Sequence, residues 1–403
     1  MIRVVLKDIV EKPITGEWGN EGNLVNVLRT TNFTNDGFID YTKVVKRDIE
    51  QKKIDSKRLL KGDLIIEKSG GSPTQPVGRV VYFESDEIFL CNNFTAILRP
   101  KREQVFPKYL HYILFVGHQF GQTSAFQNKT TGIINLQLTK YLEGIQIPLP
   151  PLPQQQKIAN ILDAVDALRR NDKALLAKYD ELAQALFLDM FGDPVGNPKG
   201  WKVNKLKEIS TKIHSGNTPK GGSEVYVEEG ITFFRSQNVW KNRLVYEDIA
   251  FIDQATHDKM MKSSLKHKDI LMTKTGRINT ENSSLGRAAM YLGKDDVANV
   301  NGHVYLIRLK KGIINEFVLH ILTTKEYRGH IRSVCVGGID KRQLNKDHIE
   351  NFPIINPPIE LQNKFTEQLA IIEEQKAITQ KSLIKSEELF NSLLQKAFKG
   401  ELL

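Results

Sequence analysis

The chain has 403 residues, of which 40% are hydrophobic and 26% are charged, and this composition is typical of a soluble globular protein with two or more domains. Its formal net charge of +10 at pH 7 favours an anionic partner, most commonly nucleic acid, although a merely basic soluble protein fits the charge as well. The two cysteines, Cys91 and Cys335, are too few for a disulfide framework or a cysteine metal cage, so we expect a cytoplasmic protein. No stretch approaches the roughly 20 apolar residues of a membrane span, so we expect no association with membranes.

The first predicted domain covers residues 1–150. Alternating apolar residues predict strands in DLIIEK, which begins at Asp63, and in GRVVYF, which begins at Gly78. The proline-rich segment IPLPPLPQQQ begins at Ile147 and ends the domain, because proline cannot continue a helix but fits just before one or in its first turn. The pattern predicts a mixed α/β domain followed by a hinge.

A long helix is predicted within residues 151–193, from about Pro153 to Met190. Its apolar residues recur every three or four positions as a heptad stripe, which Asp172 interrupts. The stripe consists of Ile158, Ile161, Val165, Leu168, Leu175, Tyr179, Leu182 and Leu186. Because one helix cannot bury such a stripe alone, the helix either packs on its own domain as ordinary core or pairs with a second helix.

The second half of the chain repeats this plan. The second predicted domain covers residues 194–356 and contains a strand in DILMTK, from Asp269. The hinge FPIINPPIELQ begins at Phe352, and within residues 357–403 a second long helix is predicted from about Ile359 to Phe398. Its apolar stripe is more broken, with Lys376 and Thr379 at positions where apolar residues are expected. This stripe consists of Phe365, Leu369, Ile372, Leu383, Phe390, Leu393 and Ala397.

Matched residues keep the same order in both halves. The pairs are Arg29 with Arg235, Asn32 with Asn238, Asp63 with Asp269, Lys68 with Lys274, Gly70 with Gly276, Arg79 with Arg287 and His111 with His320. A chance similarity would not keep this order, so we infer an internal duplication. The two matched histidines lie in apolar helical runs, and we interpret them as packed structural residues.

We therefore predict an α+β fold in which two repeated mixed α/β domains are joined by two long antiparallel helices. Pairing the helices as a coiled coil buries both stripes, and the duplication favours a pseudo-two-fold arrangement. One helix would then act as a spacer between the two domains.

Motifs for catalysis or cofactor binding are weak in this sequence. NPPI, residues 356–359, resembles the N-P-P-aromatic motif of adenine methyltransferases, but Ile359 replaces the aromatic residue that stacks on a flipped base. GGSPTQPVGR, residues 70–79, resembles a phosphate loop but lacks the Gly-Lys-Ser/Thr ending. The nine histidines show no paired metal spacing. We therefore expect a protein that is not an enzyme and has neither a metal nor a cofactor.

Several segments together resemble those of type I restriction–modification specificity subunits. They are IPLPPLPQQQKIANILDAVD, LFLDMFGDPVGNPKGWKVNKLKEI, SGNTPKGG and FNSLLQKAFKGEL, and the resemblance covers essentially the whole chain. It implies two target-recognition domains that each read half of a bipartite DNA site, with helices that set their separation. It also implies three partners: double-stranded DNA, two modification subunits with adenine N6-methyltransferase activity, and restriction subunits that translocate and cleave DNA. A stand-alone bipartite DNA-binding protein and a helical protein-interaction scaffold are the alternatives.

The resemblance places DNA contacts on loops, where basic, amide and hydroxyl side chains hold phosphates or read base edges. In the first domain the candidates are Arg29, Thr31, Asn32, Lys68, Ser69, Gln75, Arg79, Asn128 and Lys129. In the second domain they are Asn217, Lys220, Arg235, Gln237, Asn238, Lys274, Thr275, Arg277, Asn279, Asn282, Lys341 and Arg342. Residues matched between the halves cannot distinguish two different half-sites, so we expect them to hold phosphates or shape loops.

Overall fold

The computed structural model describes residues 2–72, 74–130, 133–278, 280, 282–338 and 341–402, except for the side chains of residues 129 and 130. Internal contacts divide the chain into two units. The first unit consists of Met1–Ala174 and Thr379–Leu403, and the second of Leu175–Ile378. Each unit therefore contains one predicted mixed domain and part of each long helix.

The first unit has mixed helix and strand content. Its strands are β1 (Arg3–Val5), β2 (Ile14–Thr15), β3 (Asn20–Leu28), β4 (Val45–Asp48), β5 (Leu64–Glu67), β6 (Ser69–Gly71), β7 (Val80–Tyr82), β8 (Phe89–Cys91), β9 (Thr95–Leu98), β10 (Gln127–Thr130), β11 (Ile133–Leu136) and β12 (Gln146–Pro148). Its helices are α1 (Leu6–Ile9), α2 (Gln51–Lys57), α3 (Pro107–Gln119), α4 (Leu138–Gly144), the beginning of α5 (Leu152–Phe191) and the end of α11 (Ile359–Lys399).

Three sheets and one strand pair build the first unit. The sheet β2-β9-β5-β7 is antiparallel, whereas β4-β3-β8 contains a parallel pair, β3 with β8. A small antiparallel sheet has the order β10-β11-β6. The pair β1 and β12 places the first strand of the domain beside the strand that leads into the hinge.

The second unit repeats these elements. Its strands are β13 (Lys202–Lys205), β14 (Ser210–Ser215), β15 (Ile231–Phe234), β16 (Val239–Trp240), β17 (Arg243–Leu244), β18 (Ala250–Ile252), β19 (Ile270–Thr273), β20 (Thr275–Gly276), β21 (Ala288–Met290), β22 (Ala298–Val300), β23 (Val304–Leu309), β24 (Val336–Gly337), β25 (Arg342–Gln343) and β26 (Pro353–Asn356). Its helices are the end of α5, α6 (Leu206–Ile209), α7 (Gln254–Lys259), α8 (Asn315–Thr323), α9 (Lys325–Val334), α10 (Lys346–Glu350) and the beginning of α11 (Ile359–Lys399).

Sheet topology confirms the duplication. The sheets β14-β23-β19-β21, β18-β15-β22 and β20-β25-β24 and the pair β13-β26 correspond one by one to those of the first unit. The parallel pair also recurs, here as β15 with β22. The second unit adds a short hairpin, β16 with β17.

The central strand of each domain is buried on both faces. In β5, Leu64 and Ile66 lie in the cluster that contains helix α3, whereas Ile65 lies in the cluster of the β3 and β8 sheet. In β19, Ile270 and Met272 likewise face α8, and the residue between them faces β22. Side chains alternate between the two faces of a strand, so one apolar run can join two layers of core.

Both long helices confirm the sequence prediction to within two residues at each end. In the first unit, Ile158 and Leu162 of α5 lie in one core cluster with Phe390 and Leu394 of α11. In the second unit, the end of α5 meets the beginning of α11, where Phe187 lies 5.5 Å from the ring of Phe365. Further along the helices, Asp172 contacts Ser382 in the first unit and Asp180 contacts Lys376 in the second, so the two helix segments within each unit are antiparallel.

The predicted apolar stripe of α5 is only partly right. Ile158 is buried, but Leu168, Leu175 and Leu182 are 48%, 39% and 51% exposed. The prediction failed because it counted apolar residues alone. Polar residues occupy the middle of the buried face instead.

The buried polar side chains in the middle of α5 have ion-pair, hydrogen-bond and aromatic partners. Arg169 donates from Nη2 to Asp166, at 2.6 Å, and its guanidinium lies 4.5 Å from the ring centroid of Phe390. Asp172 accepts from the hydroxyl of Ser382 at 2.9 Å. Because each buried charge has a partner, the helix tolerates polar residues on its inner face.

The two matched histidines are packed residues, as predicted. His111 lies against Tyr82, Tyr112 and Phe115, and His320 lies against aromatic rings from both long helices. Burial lowers the pKa of each imidazole to about 4, so both are neutral at pH 7.

Candidate nucleic-acid interface

The small third sheet of each unit brings distant candidate residues together. In the first unit, Ser69 is in β6 and Asn128 is in β10, and both strands pair with β11. Ser69 donates to Asn135 of that strand, while Asn128 is exposed. The backbone of Lys129 continues β10, and its side chain lies outside the described part of the structure.

In the second unit, three predicted segments converge on one cleft of about 500 Å³. Five predicted contacts line it: Gln237, Thr275, Arg277, Asn282 and Lys341. The other lining residues are Ser236, Trp240, Gly276, Thr280, Ser283, Ser284 and Arg287. None of these described residues is acidic, so the cleft presents cations, amides and hydroxyls, the groups that hold phosphates and base edges.

Some second-domain candidates lie elsewhere. Asn217 and Lys220 are exposed in the segment after β14 and do not line the cleft. Lys274 donates its backbone N–H to His303, and its Nζ lies 5.8 Å from the ring centroid of Tyr305. Asn279 lies outside the described residues.

Two asparagines predicted to contact DNA are structural residues instead. Asn32 and Asn238 are 1% and 0% exposed. Each side chain accepts from the backbone N–H of the matched arginine three residues earlier and donates to a carbonyl further along, Asp40 at 3.0 Å or Val245 at 3.1 Å. Their amides therefore hold the turns in shape and are not available to DNA. Thr31, on the first turn, is exposed.

The matched arginines beside these turns also have partners within the protein. Arg29 donates from Nη2 to the carbonyl of Lys43 at 3.0 Å. Arg235 forms an ion pair with Asp248 at 3.1 Å, and Gln237 donates to the same carboxylate at 3.0 Å. Hydrogen bonding by Gln237 and the nearby charge of Arg235 lower the pKa of Asp248, which stays ionised beside them.

Arg79 holds a turn in place, one of the two roles expected of the matched residues, and its guanidinium is engaged within the protein instead of being free for DNA. Its guanidinium donates from Nε and Nη2 to Glu67, at 2.9 and 3.1 Å, and to the carbonyls of Thr30 and Phe33. The side chain of Glu67 is 4% exposed. Because the buried carboxylate compensates the arginine, the pair fastens the turn after β3 to β5.

The remaining candidates differ in exposure. Gln75 is exposed in the turn after β6, and Lys68 is half-buried, with its pKa lowered mainly by burial. Arg342 lies in β25 and donates to the carbonyl of Cys335 at 3.3 Å. Two residues that sequence reasoning missed, Trp240 and Arg287, line the cleft of the second unit. The repeat alignment did contain a signal for Arg287. Its matched residue Arg79 pairs with Glu67, but the position in the second half that matches Glu67 is occupied by Thr273, which cannot form that ion pair.

The NPPI segment makes a contact within its own hinge. Asn356 of NPPI accepts from Gln362 at 3.1 Å and lies at the hinge. No group of three or more histidine, cysteine, aspartate or glutamate residues that could hold a metal is found among the described residues. Among the same residues, no helix combines the length and apolar character needed to cross a membrane.

Comparisons with known proteins agree on one family. A family model described as "Type I restriction modification DNA specificity domain" matches residues 4–178 and 198–388. A Methanocaldococcus jannaschii protein with the provisional name type I restriction enzyme MjaX specificity subunit is 25% identical over an alignment of 399 residues that covers 92% of this chain and 86% of that protein. The type I restriction enzyme EcoKI specificity subunit of Escherichia coli K12 is 23% identical over 403 residues, with 93% and 82% covered.

A solved structure shows the same fold. The crystal structure of the type I restriction–modification system S subunit from M. genitalium aligns with a TM-score of 0.61 and 17% identity, and the alignment covers 98% of this chain and 96% of that one.

Proposed function

The chain belongs to the family of type I restriction modification DNA specificity domains, and we propose that it reads a bipartite DNA site, one half with each of its two domains. Convergence of three loop segments on the cationic cleft of the second unit is the observation that carries this proposal. Base edges and phosphates are recognised by such groups on loops that a rigid scaffold positions.

The two half-sites should differ in sequence. Both domains have the same sheets, but their exposed loop residues differ, with Gln75 in the first domain and Arg277 and Asn282 in the second. Side chains that differ in donors and acceptors select different bases. An asymmetric site follows from this difference.

We further propose that other subunits supply the chemistry. Two modification subunits would carry adenine N6-methyltransferase activity, and restriction subunits would translocate and cleave DNA. The replaced aromatic residue at Ile359 supports a non-catalytic chain. The cytoplasm, where chromosomal DNA and these partners occur together, is the proposed location.

A domain exchange tests the bipartite model. Residues 194–356 would be replaced by the second domain of another family member, which keeps β13 and β26 paired within the transplanted segment. Methylation mapping of a host that expresses the chimera with its modification subunit should show one half of the site changed and the other half retained. Exchange of residues 1–150 is the matched control and should change the opposite half. A folded chimera that alters both halves would refute the model.

We also propose that α5 and α11 set the number of base pairs between the half-sites. Each helix is continuous in the structure, over 40 and 41 residues. An insertion near Leu186 in α5 alone would move Phe187 and Phe191 away from Phe365. Paired insertions after residues 174 and 378, at the unit boundaries, leave the helix contacts inside each unit intact.

The paired insertion predicts a defined change of the site. Four residues add about 6 Å at a rise of about 1.5 Å per residue, which corresponds to one or two base pairs at roughly 3.4 Å each. Four is also close to the turn of about 3.6 residues, so the buried face is kept approximately. Methylation mapping should show both half-sites unchanged and a longer spacer, whereas paired two-residue insertions should impair folding or assembly. An active four-residue variant with the original spacer would assign the spacing to the domains instead.

A further inference from the structure

The two copies of one duplicated arginine have different surroundings. In the first unit, Arg79 is held by the buried carboxylate of Glu67. At the matching position the second unit has Thr273, whose hydroxyl donates to the carbonyls of Ser284 and Arg287. The second arginine therefore lacks the carboxylate that neutralises the first.

Neutral groups hold Arg287 instead. Its Nε donates to the carbonyl of Ser283 at 3.1 Å, and its Nη2 donates to the carbonyl of Asn282. Its guanidinium lies 3.9 Å from the ring centroid of Trp240, whose indole N–H donates to Gln237 at 3.1 Å. Carbonyl dipoles and an aromatic face orient a guanidinium without removing its charge.

The surroundings of Arg287 are cationic. Arg277 and Lys341 line the same cleft, and Arg328 donates to the same Ser283 carbonyl at 2.9 Å. Among the described residues, no carboxylate lies within ion-pair distance of Arg287. Among the described residues, Nη1 of Arg287 also has no hydrogen-bond acceptor, and it is not a buried atom. This nitrogen is therefore free to donate to a ligand.

We propose that Arg287 binds a DNA phosphate in the cleft of the second domain, a role that its repeat partner Arg79 does not have. This inference rests on the proposed DNA recognition and names one of its contacts. A phosphate is favoured over a guanine edge because the fork formed by Nε and Nη2 is already used by two carbonyls. The positive charge of the Arg287 guanidinium and the free N–H groups of its Nη1 can bind a phosphate oxygen.

The test uses the full-length chain and two duplexes, one with the target found by methylation mapping and one of mixed sequence without it. Dissociation constants would be measured by fluorescence anisotropy over a range of salt concentrations. R287Q removes the charge, R287K keeps it without the planar group, and R79Q is the matched control in the first domain. Thermal unfolding of each variant reports whether the fold is retained.

Loss of one phosphate contact has a defined signature. R287Q should weaken binding to both duplexes about tenfold. It should also reduce the slope of log affinity against log salt by about 0.9, so that the affinity lost between 50 and 200 mM salt shrinks about 3.5-fold. R287K should retain the slope because it retains the charge. R79Q should lower the unfolding temperature, because it leaves Glu67 buried without its partner.

Contrary outcomes are separable. A folded R287Q variant with the wild-type slope would overturn the assignment, and a loss confined to the target duplex would make Arg287 a base-reading residue instead. Glu281 lies outside the described residues, so E281Q is included, and a steeper salt slope in E281Q than in the wild type would overturn the assignment. Failure of the wild-type chain to prefer its target duplex would refute the proposed function. Binding to the mixed-sequence duplex would still report on Arg287.

Discussion

Replacing Asp63 by alanine should destabilise the first unit strongly, because this carboxylate joins two distant chain segments and closes the turn before β5. Its side chain is 1% exposed and accepts from Nε and Nη2 of Arg99 at 2.9 and 2.8 Å. It also accepts from the backbone N–H of Leu60 at 2.7 Å. Asp269 and Arg308 repeat the pair in the second unit, at 2.9 and 2.7 Å.

The magnitude follows from what the substitution leaves behind. Breaking a buried ion pair costs about 3–5 kcal/mol, mainly because the remaining charge stays without a partner. Arg99 is 29% exposed and can recruit some water, so we expect the lower end, about 3 kcal/mol. Arg308 is 23% exposed, and D269A should therefore cost a similar amount in the second unit. The matched control is D86A, since Asp86 is 84% exposed in its ion pair with Lys61 and should contribute less than about 1 kcal/mol.

Native-state hydrogen exchange is the appropriate assay, because a chain with two units need not unfold in one step. D63A should accelerate exchange of the β5 and β9 amides about a hundredfold, which corresponds to roughly 3 kcal/mol, and leave β19 and β23 protected. D269A should show the reverse pattern. A loss of stability in D63A no larger than that in D86A, or faster exchange in both units alike, would refute this role of Asp63.

Three further predictions address DNA binding, pH dependence and catalysis. K68Q and K274Q should weaken binding to all DNA sequences alike, and each should lower the slope of log affinity against log salt by about one. K381Q on α11 is the control, and an unchanged slope in both K68Q and K274Q would contradict phosphate contacts. Burial lowers the pKa of His111 and His320 from 6.5 to about 4, so the unfolded chain takes up protons first and stability should fall as the pH drops from about 6.5 towards 4. H111Q and H320Q should flatten that dependence in denaturant titrations at several pH values, and wild-type-like curves would argue against neutral buried histidines. The purified chain alone should neither cleave DNA nor transfer a labelled methyl group from S-adenosylmethionine to it, and labelled DNA would show a catalytic centre in this chain.

Local signals in the sequence were sufficient for the duplication and for the long helices. Proline is strongly disfavoured inside a helix but fits just before one or in its first turn, so the two hinges mark where α5 and α11 begin. The matched pair Asp63 and Asp269 was visible in sequence because the repeat keeps its order, and the structure gives both residues the same ion pair. These signals depend only on which residues are near one another along the chain, and the sequence gives that order directly.

Side-chain partners from distant segments were decided by the tertiary structure alone. Arg79 and Arg287 occupy matching positions, yet only Arg79 has an ion-pair partner among the described residues, Glu67. In the second unit Thr273 replaces the glutamate, and Arg287 packs on Trp240 and lines the cleft. The apolar count along α5 likewise misplaced the buried face, because Asp166 forms ion pairs there. A charge is tolerated in the interior only where a partner lies within a few ångströms, and that distance is set by how the chain folds back on itself.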